Sequence, residues 1–254
     1  KRGYIFLGII VLVSLAVYFF FFKKAPKVVY DFPCGVPKTL VNPLSIDTMM
    51  PQFVIDRSCV WKKKILNVYF VDDRITSLTK RKIIDIANEW SIHADISFIR
   101  TNDIKKSDIR VMFGKYSGYS SYIGNEADKY INRPTMALGE LDKEVNEDKT
   151  RSIVLHEFGH ALGLLHEMHN PDNPIKWDTV KVYSYFKEYH NMGKAEVDKQ
   201  VLGQIENTEH SLFDSLSIMT YPIPKKLTLN NISIPMVTEL SETDKHRITI
   251  YYDN

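Results

Sequence analysis

Apolar and polar positions alternate through "ILNVYFVD" (65–72), which predicts a strand with one buried face. In "SLTKRKIIDIANEWSIHA" (77–94) the spacing changes: Ile83, Ile84, Ile86, Ala87 and Trp90 recur at near-helical intervals, with Ser77 or Thr79 placed to cap the first turn. "ISFIR" (96–100) and "DIRVMFG" (108–114) read as two further strands. "KYSGYSSYIG" (115–124) is rich in glycine and tyrosine, and "PTMALGEL" (134–141) then reads as a short strand. After a charged linker, "KTRSIVLHEFGHALGLL" (149–165) reads as a second helix that turns Ile153, Phe158, Ala161 and Leu162 to the core. Beyond Pro171 the pattern weakens to helical fragments at 179–189 and 194–205. A last helix, "SETDKHRITIYY", opens on Ser241 with Asp244 three residues on, a helix-start signal. Strands alternating with helices predict an α+β domain built on a mixed sheet.

The amino-terminal stretch follows neither period. "YIFLGIIVLVSLAVYFFFF", Tyr4 to Phe22, is 19 residues without a charge, flanked by Lys1 and Arg2 before it and Lys23, Lys24 and Lys27 after it. About 20 such residues span a bilayer as a helix. A cleavable signal peptide has an apolar region of roughly 7 to 15 residues followed by small residues. Here Phe19 to Phe22 run straight into lysines, so residues 1–24 are expected to be an uncleaved transmembrane anchor. The basic flanks are nearly balanced and do not set its orientation. Residues 25–60 carry Pro26, Pro33, Pro37, Pro43 and Pro51 with no sustained period, as a stalk or propeptide-like segment would. The domain proper is expected over 61–254.

Composition narrows the function classes. The chain has 254 residues, 44% of them apolar and 25% charged, enough to bury a core. A formal net charge of +2 leaves no broad basic surface. Lys62, Lys63 and Lys64 read as a solvated strand end, and nucleic acid is not an expected partner. The two cysteines, Cys34 and Cys59, admit a disulfide in an oxidising compartment as well as free thiols.

The chemistry is concentrated in "HEFGHALGLLHE" (156–167). On a helix His156 and His160 share one face, ~6 Å apart along the axis, and can hold one ion between them. Glu157, beside the first of them, reaches a water on that ion. Continued straight, the helix would carry His166 ~9 Å past His160, so the chain must turn back. Gly163 stands where that turn is needed, since glycine enters positive φ without steric cost. Three neutral imidazoles leave Zn2+ an open position, as catalytic sites do. Glu157 is then the candidate acid/base of a hydrolysis in which zinc acidifies water and polarises a carbonyl.

The full H-E-x-x-H-x-x-G-x-x-H pattern resembles that of the metzincin metalloendopeptidases. "DSLSIMTYP" (214–222) resembles their methionine-containing turn, with Met219 as the apolar floor beneath the metal. Within that group, Glu167 directly after the third histidine and Tyr221 two residues after Met219 are similar to the astacin family. The resemblance implies a metzincin-like zinc protease domain with a mixed twisted sheet, an active-site helix and a C-terminal helix, behind the N-terminal transmembrane helix. It implies zinc ligation by His156, His160 and His166, oxyanion assistance by Tyr221, and protein or peptide substrates. It also implies that Thr135, Met136, Ala137, Leu138 and Gly139 form the edge strand to which substrate adds as a further strand. The position of Glu167 anchors a newly freed chain terminus in that family. No cleavage site is visible here, and no cysteine follows Cys59 to make that family's usual disulfides.

"DFPCGVPK" (31–38) is similar to the Cys-Gly-Val-Pro part of the matrixin cysteine switch, in which a thiolate fills the open metal position; Pro33 and Lys38 replace the flanking arginine and aspartate. Cys34 is thus a candidate inhibitory switch or a disulfide partner of Cys59. The expectation is a membrane-anchored zinc metalloendopeptidase whose catalytic domain faces the extracellular, lumenal or virion-surface side. The competing expectation is a non-catalytic membrane scaffold, for adhesion or assembly, that keeps a structural zinc site blocked by Cys34.

Overall fold

A computed structural model describes residues 57–114, 118–203 and 212–252. The expected membrane span at 4–22, the proline-rich segment up to residue 56 and Cys34 lie outside the described residues. Among the described residues, no helix is long and apolar enough to cross a membrane.

Five described strands form one sheet: β1 (Ile65–Phe70), β2 (Ser97–Arg100), β3 (Ile109–Met112), β4 (Tyr119–Ser121) and β5 (Met136–Leu138). Their order is β2-β1-β3-β5-β4. β1 pairs in parallel with β2 and β3, β3 pairs in parallel with β5, and only β4 runs antiparallel, on β5. Along β1 the expected alternation holds, with Leu66, Val68 and Phe70 buried and Ile65 exposed. The helix α1 (Ser77–Ala87) crosses from β1 to β2, as a parallel pair requires. Its cap is Thr76, whose side chain accepts from the Thr79 backbone N–H, one residue before the expected Ser77 and three before the expected Thr79. It is also shorter than its apolar spacing suggested. The chain leaves it at Asn88, whose side chain accepts from the Phe98 N–H and donates to the Phe98 carbonyl, tying the helix exit to β2.

One expectation is corrected. Thr135 to Gly139 do not form an edge strand, because β5 is enclosed between β3 and β4 with Met136, Ala137 and Leu138 all buried. Among the described strands the outer one on that side is β4, from the glycine- and tyrosine-rich stretch, in register Tyr119 to Leu138 and Ser121 to Met136. Gly139 permits this: its φ is +48°, and a Cβ there would sit 2.6 Å from the Tyr119 ring.

The helix α2 (Glu147–Ala161) is capped by Asn146, which accepts from the Lys149 N–H. Every residue from Thr150 to Ala161 except Arg151 is buried, so the helix passes through the core rather than over it. Phe158 meets Phe98 of the sheet edge to face at 4.8 Å. The remaining described α-helices are α3 (Thr179–His190), the single turn α4 (Lys194–Val197), which continues into a π-helical stretch over Asp198–Leu202, and α5 (Glu242–Tyr252). The predicted start of α5 is confirmed as a capping box: the Asp244 N–H donates to Ser241 Oγ and the Ser241 N–H donates to Asp244 Oδ2, each at 3.0 Å.

Candidate metal centre

The site begins where α2 ends. Gly163 has φ +100°, its N–H donates to the His160 carbonyl, and the Leu164 N–H donates to the Gly159 carbonyl. That pair of bonds is a Schellman stop around a glycine, the turn expected from the need to bring His166 back. The helix leaves further terminal carbonyls, and distant side chains satisfy them. Trp61 Nε1 donates to Ala161 O at 2.7 Å, and the Tyr252 hydroxyl donates to Leu162 O at 2.8 Å. The first and last described segments of the domain thus both close on the end of the histidine helix.

His156, His160 and His166 are buried, and one nitrogen from each lies within 4.8 Å of the others. A carbonyl oxygen can only accept, so His156 Nδ1 donates to Ile218 O at 2.8 Å and His160 Nδ1 donates to Leu164 O at 2.7 Å. His166 bonds the backbone of Gln200, in the π-helical stretch. Burial pushes all three imidazoles below their ordinary pKa of 6.5, His160 to about 4, with the neighbouring histidines adding to the effect. They are neutral at pH 7, as ligands must be.

With their outward N–H groups spent on carbonyls, His160 Nε2 and His166 Nε2 face each other at 3.0 Å. Two lone pairs at that distance repel unless a cation lies between them. Two nitrogens on a tetrahedral zinc, each at roughly 2.0–2.1 Å, would stand about 3.3 Å apart. The donor set and spacing therefore fit Zn2+ with three protein ligands.

Glu157 is fully buried on α2, one residue from His156. Tyr221 is buried as well, its ring centroid 4.6 Å from that of His166 and 5.9 Å from that of His156, and its N–H points at Met168 Sδ. Met219, fully buried, packs against α2 at Gly159, where an added Cβ would meet its Sδ at 2.5 Å. The sequence-predicted histidines, Glu157, Met219 and Tyr221 thus come together. Cys59 is buried away from them, its thiol directed at Glu126 Oε1 at 4.0 Å.

Other residues of the site were not found by sequence reasoning. Asp244, read only as a helix-start signal, also accepts from Ser217 Oγ at 2.6 Å and from the Ile218 N–H at 2.8 Å. It therefore holds the N–H of Ile218, the residue whose carbonyl receives His156. Glu167 meets Arg247 at 2.7 Å, an internal guanidinium on the carboxylate that the resemblance had tied to a freed chain terminus. His169, which has no ligand spacing, lies with its ring 5.5 Å from His166 and also bonds the Gln200 backbone. The signal available for Asp244 and Arg247 was their three-residue spacing on one face of a helix, but nothing in the sequence says what that face meets.

Comparison with known proteins agrees with this geometry. The family model described as Astacin, a family of peptidases, matches residues 53–249. The chain is 30% identical over 118 residues to zinc metalloproteinase dpy-31 of Teladorsagia circumcincta, a match covering 44% of this chain. It is 29% identical over 120 residues to zinc metalloproteinase nas-36 of Caenorhabditis briggsae, covering 47% of this chain. In each case the match spans only 18% of the relative's own length. Among solved structures, myroilysin superposes with a TM-score of 0.73 at 34% identity, covering 79% of this chain and 98% of that one. High choriolytic enzyme 1 of Oryzias latipes, a hatching enzyme zinc-protease, shares the fold with a TM-score of 0.54 at 16% identity, over 77% of this chain and 95% of that one.

Proposed function

Because the chain belongs to the astacin family, we propose that it is a zinc-dependent metalloendopeptidase in which His156, His160 and His166 hold the metal and Glu157 is the general base and acid. The observation that carries this reading is the convergence of three neutral imidazoles within 4.8 Å beside a fully buried glutamate on the same helix. Zinc held there supplies Lewis-acid chemistry, polarising a carbonyl and acidifying water. Glu157 takes the proton of the attacking water and returns it to the leaving amine. Tyr221 donates its phenolic O–H to the oxygen on which negative charge develops. An extended peptide lies along the side of β4 on which no described strand pairs, where a strand offers backbone donors and acceptors to any sequence. This moves the substrate-pairing role from β5 to its neighbour.

The anchor belongs to the same proposal. The 19-residue uncharged run at Tyr4 to Phe22, between basic flanks, supports retention of the chain in a membrane, with the catalytic domain on the extracellular, lumenal or virion-surface side. One experiment addresses both parts. The full chain is expressed, membranes are separated and washed with alkaline carbonate, and hydrolysis of a mixed peptide library is measured for wild type and Glu157→Gln. Activity should stay with the membranes and fall by about 10²–10⁴ in the variant. Equal hydrolysis by the two proteins would refute the role of Glu157. Activity released by carbonate would refute the anchor. A folded, zinc-loaded wild type that cleaves nothing would favour the scaffold.

A further inference from the structure

Glu167 is the group that the peptidase mechanism leaves unused. Its carboxylate is fully buried and stands one peptide bond from the third histidine. Oε1 accepts from Asn170 Nδ2 at 2.9 Å and from the Asp214 N–H at 3.0 Å, and its own N–H donates to Met219 O at 3.1 Å. Asp214 opens the methionine-containing turn and Met219 is its floor, so one residue holds the turn at both places. Arg247 reaches the same carboxylate from α5, Nη1 to Oε2 at 2.7 Å and Nη2 to Oε1 at 3.3 Å, and is itself only 5% exposed.

Resting on the peptidase reading above, we propose that Arg247 is a positioning residue for the metal centre, holding His166 in register with the Met219 turn through Glu167. A buried carboxylate without a counter-cation is driven to turn toward water. That movement loosens the bonds that Oε1 makes to Asn170 and Asp214. A guanidinium gripping both oxygens fixes the charge and the direction of the carboxylate together.

The same helix face acts on the first ligand. Asp244, three residues before Arg247, holds the backbone N–H of Ile218, the residue whose carbonyl, in the next peptide unit, receives His156 Nδ1. α5 therefore clamps the site along two lines: Arg247 to Glu167 to the backbone of His166, and Asp244 to Ile218 to the ring of His156. Groups that orient metal ligands from behind are worth roughly 10–100-fold in metal affinity or activity. The plain alternative is an ion pair that only stabilises the fold.

Two variants of the full chain separate these readings. Arg247→Lys keeps the charge but loses the two-pronged grip. The double variant Glu167→Leu, Arg247→Met removes both charges, and such apolar replacements of buried pairs are often neutral for stability. For each, thermal stability, equilibrium zinc affinity, the visible spectrum of the cobalt-substituted protein, and kcat and KM are measured. We expect Arg247→Lys to lose about tenfold or more in zinc affinity and in kcat with little change in KM. The double variant should approach wild-type stability while its zinc affinity stays reduced and its cobalt spectrum altered. Wild-type zinc affinity and cobalt spectrum in a stable double variant would overturn the proposal. If neither wild type nor variants cleave peptides while zinc affinity falls as expected, the positioning role stands and the peptidase reading fails.

Discussion

Gly159 shows how one residue joins distant parts of the chain. Inside a helix glycine costs about 1 kcal/mol relative to alanine, so helix propensity alone predicts that Gly159→Ala stabilises the protein. Here the added methyl would sit 2.5 Å from Met219 Sδ and 3.2 Å from Trp90 Cζ2, both fully buried. Overpacking of that kind costs roughly 1–3 kcal/mol. Gly159→Ala is therefore expected to be net destabilising, by up to about 2 kcal/mol, and to shift the floor of the site. Chemical denaturation checks this, and an unchanged or raised stability would show that Met219 moves aside freely. Gly163, four residues on, was legible because its turn is demanded by the histidine spacing itself. Gly159 was not, because its reason lies with Met219, far along the chain.

Among the elements, α2 and the turn that follows it carry a pH signature. The three histidines are held neutral by burial, with pKa values below 6.5 in the folded state and near 6.5 in the unfolded chain. Below pH 6.5 the unfolded state therefore binds more protons than the folded state, which favours unfolding. The stability from keeping these rings neutral is fully present above about 6.5. For His160 it declines as pH falls from 6.5 to about 4, and for the other two the decline also begins below 6.5. Urea denaturation of the metal-free protein between pH 8 and 4 should show this fall, while a flat profile would mean that the rings are not buried as described. Legibility also varied among elements. β1 and the capping box of α5 could be read because period and cap are local properties. β4 has three residues, too few to show an alternation, and its existence depends on pairing with β5. The edge role expected of β5 came from the family resemblance, and no local pattern at β4 stood against it.

For the molecule as a whole, the catalytic elements were legible because the motif packs the three ligands and Glu157 into eleven consecutive residues, 156–166. What holds them is spread more widely. Trp61 and Tyr252 close the end of α2, and Asp244 and Arg247 brace the methionine turn and the third-ligand loop from α5. These contacts join the first described segment to the last, and no spacing rule reaches that far. The central claim is that one zinc ion on His156, His160 and His166 gives the chain its peptidase activity. The direct measurement is to strip the full chain with a chelator and titrate zinc back while following peptide hydrolysis and bound metal together. Activity should vanish on stripping and return in proportion to zinc, reaching its plateau at about one ion per chain. Hydrolysis that survives complete removal of metal, or one bound ion per chain that restores none, would contradict the account.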